Sequence, residues 1–156
     1  MDGVTIRQAT LLDLEVLLTF EQGVIAAERP FDSTLKNGNI HYYDIAGMIR
    51  APDVEVAVAV SGNEIIGSGY ARIKNAKVFL KHEKYAYLGF MYLLPSHRGA
   101  GINKLIIEYL KQWSILQNIS ELRLEVYHDN RQAITAYEKV GFKKLMVEMR
   151  LGLDDK

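Results

Sequence analysis

Val4 to Gln8 alternates apolar and polar side chains, the period of a half-buried strand. Leu14, Leu17, Leu18, Val24 and Ile25 then recur at helical spacing. Thr10 and Asp13 ahead of them have capping-box spacing, with an oxygen for the first free amides and an anion on the helix dipole. From Glu28 to Asn39 the chain is polar and carries Pro30, which predicts irregular structure. Tyr42 to Arg50 reads as a short helix ended by Pro52.

Val54 to Val60 and Glu64 to Lys74 are β-rich runs joined by Ser61-Gly62-Asn63, a hairpin pattern. Tyr85 to Leu94 is a long strand whose apolar richness predicts burial on both faces, and Pro95 stops it. Ile102 to Gln117 puts Ile102, Leu105, Ile106, Tyr109, Leu110 and Trp113 on one helical face. Glu121 to Tyr127 alternates as a strand. Asp129 and Asn130 then suit the N-cap of a helix carrying Ala133, Ile134, Tyr137 and Val140, with Gly141 at its C′ position. Lys143 to Leu151 reads as a closing strand. The order β-α-(α)-β-β-β-α-β-α-β predicts one α/β domain mixing antiparallel hairpins with a parallel crossover.

Composition narrows the functions available. The 156 residues are 49% apolar and 24% charged, the balance of a globular chain. Lys plus Arg equals Asp plus Glu at 19 each, which argues against a nucleic acid or a membrane held by bulk charge. Cysteine is absent, which excludes a disulfide scaffold, a Cys-based zinc site and a thiol nucleophile. The longest apolar run, Tyr85 to Leu94, is far below the roughly 20 residues of a membrane helix. Met1 to Arg7 has neither a basic start nor an apolar stretch, so no signal peptide and a cytoplasmic protein are expected.

The richest stretch for chemistry is Leu93-Leu94-Pro95-Ser96-His97-Arg98-Gly99-Ala100-Gly101-Ile102-Asn103-Lys104. A strand ends, two glycines follow one residue apart, and an amphipathic helix begins. Helix-start amides lack internal acceptors, the dipole favours negative charge, and glycines let a phosphate approach the backbone. The same spacing also suits a plain strand-to-helix turn. A dinucleotide fingerprint would need a third glycine where Lys104 stands, and no G-x-x-x-x-G-K-[ST] string exists here.

These residues resemble the GCN5-related N-acetyltransferase (GNAT) superfamily. Its pyrophosphate loop, [QR]-x-x-G-x-[GA], is approached by Arg98-Gly99-Ala100-Gly101-Ile102-Asn103. A second family segment, N-x-x-A-x-x-x-Y-x-K-x-G-F, is matched in full by Asn130, Ala133, Tyr137, Lys139, Gly141 and Phe142. Ile6 to Thr10 with Asp13 also looks like the family's first strand and helix start.

The resemblance implies a single domain over residues 1–156, α/β (α+β), with a central mixed sheet of six or seven strands flanked by helices. It implies an N-acetyltransferase moving an acetyl group from acetyl-CoA to a primary amine of a small molecule or peptide, with a homodimer allowed. The alternative is a non-catalytic acyl-CoA-binding sensor or interaction domain of the same fold. Carried over residue by residue, the amides of Arg98, Gly99, Ala100 and Gly101 would hold the pyrophosphate. The backbone near Met91 and Leu93 would pair with the pantetheine arm, Asn130 would hydrogen-bond it, and Tyr137 would stand near the sulfur as general acid.

There are two departures. Asn103 occupies the usual Gly/Ala site, where its amide has the reach to touch a phosphate. Gly89-Phe90 stands where many relatives carry an acidic general base. An alkylamine with a pKa near 10.4 is almost wholly protonated at neutral pH, so the base must lie elsewhere. Glu125, on the face opposite Leu122, Leu124 and Val126 and twelve residues before Tyr137, is the leading candidate; an exposed glutamate paired with Arg123 or a lysine is the competing account. His128 is the alternative base. His97, Lys104, Lys139 and Lys143 are minor phosphate candidates, and His41 and His82-Glu83 have no metal spacing, so no metal site is expected. Glu28 to Asp32 and His41 to Asp44 supply the mixed charge and aromatics that would frame an acceptor.

Overall fold

Regular alternation becomes a sheet where each strand finds a neighbour. In the computed structural model, which describes residues 3–154, β1 (Val4–Gln8) runs antiparallel to β2 (Val54–Ser61), with Val4 opposite Ser61 and Gln8 opposite Ala57. The first two residues of the Met1 to Arg7 stretch, and the last two of the 1–156 range, lie outside the described residues. Gly62 takes a φ of 61° in the tight turn from β2 to β3 (Glu64–Asn75). β3 pairs antiparallel with β4 (Lys84–Leu93), and β4 pairs in parallel with β5 (Leu122–Arg123), giving the order β1-β2-β3-β4-β5.

The chain divides into two compact units, Met1–Glu125 and Val126–Lys156. In the first, Val56, Val58, Tyr70 and Phe90 share one apolar cluster with Leu17, Phe20 and Val24 of α1 (Leu14–Glu28) and Ile45 and Met48 of α2 (Ile45–Arg50). The alternate positions are small. A Cβ on Gly69 would come within 2.8 Å of Ile106, so α3 (Ile102–Leu116) lies directly on the backbone there. The capping box forms as expected: the Thr10 amide donates to Asp13 Oδ2 at 2.8 Å, and Arg7 grips Asp13 at 2.8 and 3.0 Å. The first turn after Thr10 is a 3₁₀ helix (Leu11–Asp13), and α1 proper starts behind it.

The second unit contains α4 (Arg131–Lys139), capped by Asn130 Oδ1, which accepts from the Ala133 amide at 3.3 Å. Gly141, with φ 107°, ends it. None of the described residues from Val126 onward is buried.

Five expectations need correction. Among the described residues the sheet has five strands, not six or seven. Lys143 to Leu151 forms no strand, because alternation makes a strand only against a neighbouring backbone, and no ladder among the described residues includes this segment. For the same reason Glu121 to Tyr127 shrinks to the strand Leu122–Arg123, whose residues stand opposite Ala86 and Tyr87 of β4. Nor is β4 buried on both faces throughout: Ala86, Leu88, Phe90 and Leu93 are buried, while Tyr85, Tyr87, Gly89 and Met91 are half-buried. The short helix begins at Ile45 rather than Tyr42, because Asp44 caps it by accepting from the Gly47 amide.

Candidate active site

β4 changes character along its length. Its ladder with β3 runs from Asn75–Lys84 to Tyr70–Gly89, then resumes at Ser68–Tyr92. At the break Phe90 has a φ of 57°, a left-handed conformation that costs a bulky residue about 1–3 kcal/mol. Packing holds it there: the ring is buried 5.1 Å from that of Tyr43, and its carbonyl accepts from Ser68 Oγ at 2.9 Å. Nothing local predicts a bulge centred on Phe90, since a bulky aromatic disfavours positive φ and the adjacent Gly89 does not adopt it. On the other edge β5 reaches only Ala86 and Tyr87. Among the described residues no strand pairs with that edge from Leu88 to Leu93, the stretch containing Met91 and Leu93. An open edge of this kind accepts an extended, amide-bearing ligand as an added strand.

That edge leads straight into the glycine loop. A 3₁₀ turn, Pro95–His97, follows β4, and Arg98 Nε then donates to the Leu93 carbonyl at 3.0 Å with its guanidinium 5.5 Å from the Tyr92 ring centre. The Arg98 side chain therefore ties the loop to the strand. Gly99 (φ 83°) and Gly101 (φ 80°) are both left-handed, and a Cβ on Gly99 would meet nothing within 4 Å. Gly101 is the N-cap of α3, and no side chain caps the helix. The first-turn amides of a 15-residue helix thus face an exposed loop, a geometry that fits a pyrophosphate. Asn103 Oδ1 is enclosed without a hydrogen-bond donor, an acceptor that a ligand N–H would satisfy. Lys104 is exposed.

Glu125 ends the first unit, exposed, and Oε1 accepts from the Tyr87 hydroxyl at 2.9 Å. Its partner is thus a tyrosine, whereas Arg123 is engaged by Glu121 at 2.7 Å. Burial, reinforced by the Glu125 carboxylate, pushes the Tyr87 phenol well above its ordinary value. Burial also raises Tyr70, which Arg72 opposes and Glu125 reinforces, and raises Tyr43 strongly. Tyr43, Tyr70 and Tyr87 form a continuous aromatic chain, with ring centres 5.6 and 6.4 Å apart.

The missing acid has a steric explanation. A Cβ on Gly89 would stand 2.7 Å from the Tyr70 ring and hydroxyl, so the tyrosine fills the space a side chain would need. Phe90 points its ring into the core.

One residue escaped sequence reasoning. Glu21, fully buried in α1, accepts from the backbone amides of Tyr42 and Tyr43 and contacts His41 Nδ1, each at 2.8 Å. It pins the His41 to Asp44 segment. The available signal was an acid within the apolar helical stripe beside Phe20, Val24 and Ile25. Glu28 at the end of α1 is raised by burial and by Asp32, against a lowering hydrogen bond from Tyr42.

Within the second unit, Asn130 spends its carboxamide oxygen on the α4 cap, leaving its NH₂ as the donor end. The Tyr137 ring meets Phe142 edge-on at 6.0 Å, and its carbonyl accepts from the Phe142 amide. Elsewhere, His97 Nδ1 lies 3.0 Å from Ser96 Oγ, and His82 pairs with Glu121 at 2.8 Å. Among the described residues no helix is long and apolar enough to cross a membrane.

Comparison with known proteins bears on the family and the fold. The model of the acetyltransferase (GNAT) family matches residues 22–142. A thialysine N-epsilon-acetyltransferase from Bos taurus is 26% identical over 101 residues, 65% of this chain and 55% of that protein, so the chain spans about half the length of this relative. Among solved structures, a tetramutant of the BH1408 protein from Bacillus halodurans superposes with a TM-score of 0.84 at 21% identity, covering 96% of this chain and 99% of that one. A predicted acetyltransferase from Clostridium acetobutylicum, solved with acetyl-CoA, gives 0.71 at 20% identity, covering 96% of each chain.

Proposed function

Because the chain belongs to the acetyltransferase (GNAT) family, we propose that it moves an acetyl group from acetyl-CoA to a primary amine of a small molecule or peptide. The observation that carries this reading is the unpaired edge of β4, bulged at Phe90 and continuous with the uncapped start of α3 at Gly99 to Gly101. An extended pantetheine arm suits the former, and a pyrophosphate the latter.

Acetyl-CoA supplies the thioester. The amides of Arg98, Gly99, Ala100 and Gly101 bind its pyrophosphate, the backbone at Met91 and Leu93 orients the arm, and Asn103 and Asn130 offer further polar contacts. Glu125 accepts the proton lost by the amine nitrogen as the new C–N bond forms, with Tyr87 fixing the orientation of its carboxylate. As the C–S bond breaks, the Tyr137 hydroxyl donates a proton to the departing sulfur and recovers one from solvent. Juxtaposing amine and thioester supplies much of the remaining rate. The chain of Tyr43, Tyr70 and Tyr87, with Glu125 beside it, supports a cationic acceptor that is drawn in by aromatic faces and deprotonated at the carboxylate. The named activity of the Bos taurus relative supports an amine on a small molecule.

Titration calorimetry with acetyl-CoA, followed by CoA-release assays on a panel of amines, tests the proposal. Binding followed by transfer supports it. No heat and no melting shift at saturating acetyl-CoA would overturn the cofactor assignment. Binding without transfer to any amine would favour the acyl-CoA-binding domain instead.

A further inference from the structure

The sheet face that packs on α1 and α2 through Tyr70 continues past the aromatic core into a basic stretch. Register puts Arg72 opposite Tyr87 and Lys74 opposite Tyr85, so strand alternation sends these side chains to the same side as Tyr70. The Arg72 guanidinium stands 5.7 Å from the Tyr70 ring centre, and the Lys74 ammonium 4.5 Å from that of Tyr87. Tyr87 is also the residue whose hydroxyl donates to Glu125. Arg123 of β5, opposite Tyr87, is a third cation on this face, but Glu121 neutralises it at 2.7 Å. Arg72 and Lys74 have no such partner: no carboxylate of the described residues comes within ion-pair distance of either. Arg72 is half-buried, so its charge is partly desolvated without an anion, a cost that an incoming anion offsets.

These two cations bear on the acceptor. Two of the three rings in the Tyr43, Tyr70 and Tyr87 chain already carry a cation of the protein itself. A plain alkylammonium arriving at Glu125 meets like charge at Arg72 and Lys74. One that brings an oxyanion at its other end satisfies both cations and still presents its amine to the carboxylate. The same two positive charges favour the neutral amine over the ammonium, which assists the proton loss that acetyl transfer needs.

We propose that the acceptor is an amine with an oxyanion, a carboxylate or a phosphate, at its other end: Arg72 and Lys74 hold the oxyanion while Glu125 receives the proton of the amine. The assignment deepens the acetyl-transfer function proposed above and rests on it. Arg72 offers a planar fork for two oxygens, and Lys74 adds a point charge that reaches from an exposed position.

The test compares acetyl transfer to ω-amino acids of increasing length, each beside the alkylamine of the same length, the methyl ester of the acid and the matching aminoalkyl phosphate. The ester keeps the amine and the size but removes the charge. At the best length the anionic acceptor should exceed alkylamine and ester in kcat/KM by about 10-fold or more, the usual worth of charge-assisted hydrogen bonds. The carboxylate and phosphate arms show which oxyanion the cations hold. Equal kcat/KM for anionic and plain amines at every length overturns the inference and leaves acetyl transfer intact.

In Lys74→Met and Arg72→Gln, KM for the anionic acceptor should rise by about 10-fold, and the preference over the alkylamine should collapse. Arg72→Lys, which restores the charge without the fork, should recover part of it. A preference that survives both substitutions overturns the inference. Lys74 is exposed, so its variant decides the matter even if Arg72→Gln fails to fold. Binding separates the two proposals. With CoA present, the oxyanion-bearing amines should raise the melting temperature, the plain alkylamines should not, and Lys74→Met should remove the shift. A chain that shows this shift yet acetylates no amine counts against acetyl transfer and supports the Arg72 and Lys74 anion site. A chain with neither the shift nor the anionic preference overturns that site.

Discussion

The two units use the same hydrophobic grammar with opposite results. In the first, the stripes of α1 and α3 and the alternation of β2, β3 and β4 all end in buried side chains, with Leu17, Ile66, Ile106 and Leu110 wholly enclosed. In the second, α4 and the Leu145 to Leu151 alternation are just as regular and bury nothing. Periodicity states which side of an element is apolar. Whether that side is covered depends on a partner surface, which a local pattern does not contain. The proposed chemistry divides the same way, with cradle and base in the unit that has a core, and Asn130 and Tyr137 in the unit without one.

The largest expected effect breaks the first unit's function without touching its core. Gly101→Asp puts an anion at the start of α3 and a side chain on a residue with φ 80°. Acetyl-CoA binding by calorimetry should fall below detection, while the melting temperature without ligand drops only slightly. Retained binding would remove the loop as the phosphate site.

Paired truncations sharpen the contrast between the cores. Leu110→Ala, at a fully buried position, should cost about 2–5 kcal/mol at every protein concentration. Leu151→Ala, 86% exposed, should cost an isolated chain no more than about 0.5 kcal/mol. A loss at Leu151 as large as that at Leu110 would show that this exposed leucine packs against a surface.

The division of chemistry is open to the same treatment. Glu125→Gln keeps shape and the Tyr87 contact but accepts no proton, so kcat/KM should fall by about 10²-fold at neutral pH. Raising the pH, which deprotonates the amine in solution, should partly restore it. Tyr87→Phe should give a smaller loss, with an altered pH profile and unchanged acetyl-CoA affinity. Wild-type turnover by a folded Glu125→Gln variant across the pH range would move the base to His128 or to water.

Much of the first unit was legible because its signals are local. Thr10 and Asp13 announced a cap, Ser61-Gly62-Asn63 a hairpin, and Gly99 and Gly101 a loop at a helix start. The bulge at Phe90 was not legible, because its positive φ is imposed by Ser68 and Tyr43, which are distant in sequence. The reason for Gly89 was hidden for the same cause, since it depends on the Tyr70 ring from the neighbouring strand. The role of Glu21 was not legible either, because the Tyr42 and Tyr43 amides that donate to it lie on a segment distant in sequence.

The smallest expected effect concerns the entrance to α1. The Arg7 hydrogen bonds, aided by the Thr10 amide and opposed by burial, hold Asp13 below the usual carboxylate range. A depressed carboxyl stabilises the fold above its unfolded value, about 3.9 for aspartate, and that stability is lost as pH falls through the lower folded value. Asp13→Ala should therefore cost about 1 kcal/mol near neutrality, the usual worth of a helix cap. The difference in melting temperature between wild type and variant should narrow as the buffer is taken below about pH 4. Because Arg7 is nearly half exposed, salt should weaken its share of the effect, while the Thr10 amide bond persists. A difference that stayed constant into strong acid would show that Asp13 acts by packing rather than by charge.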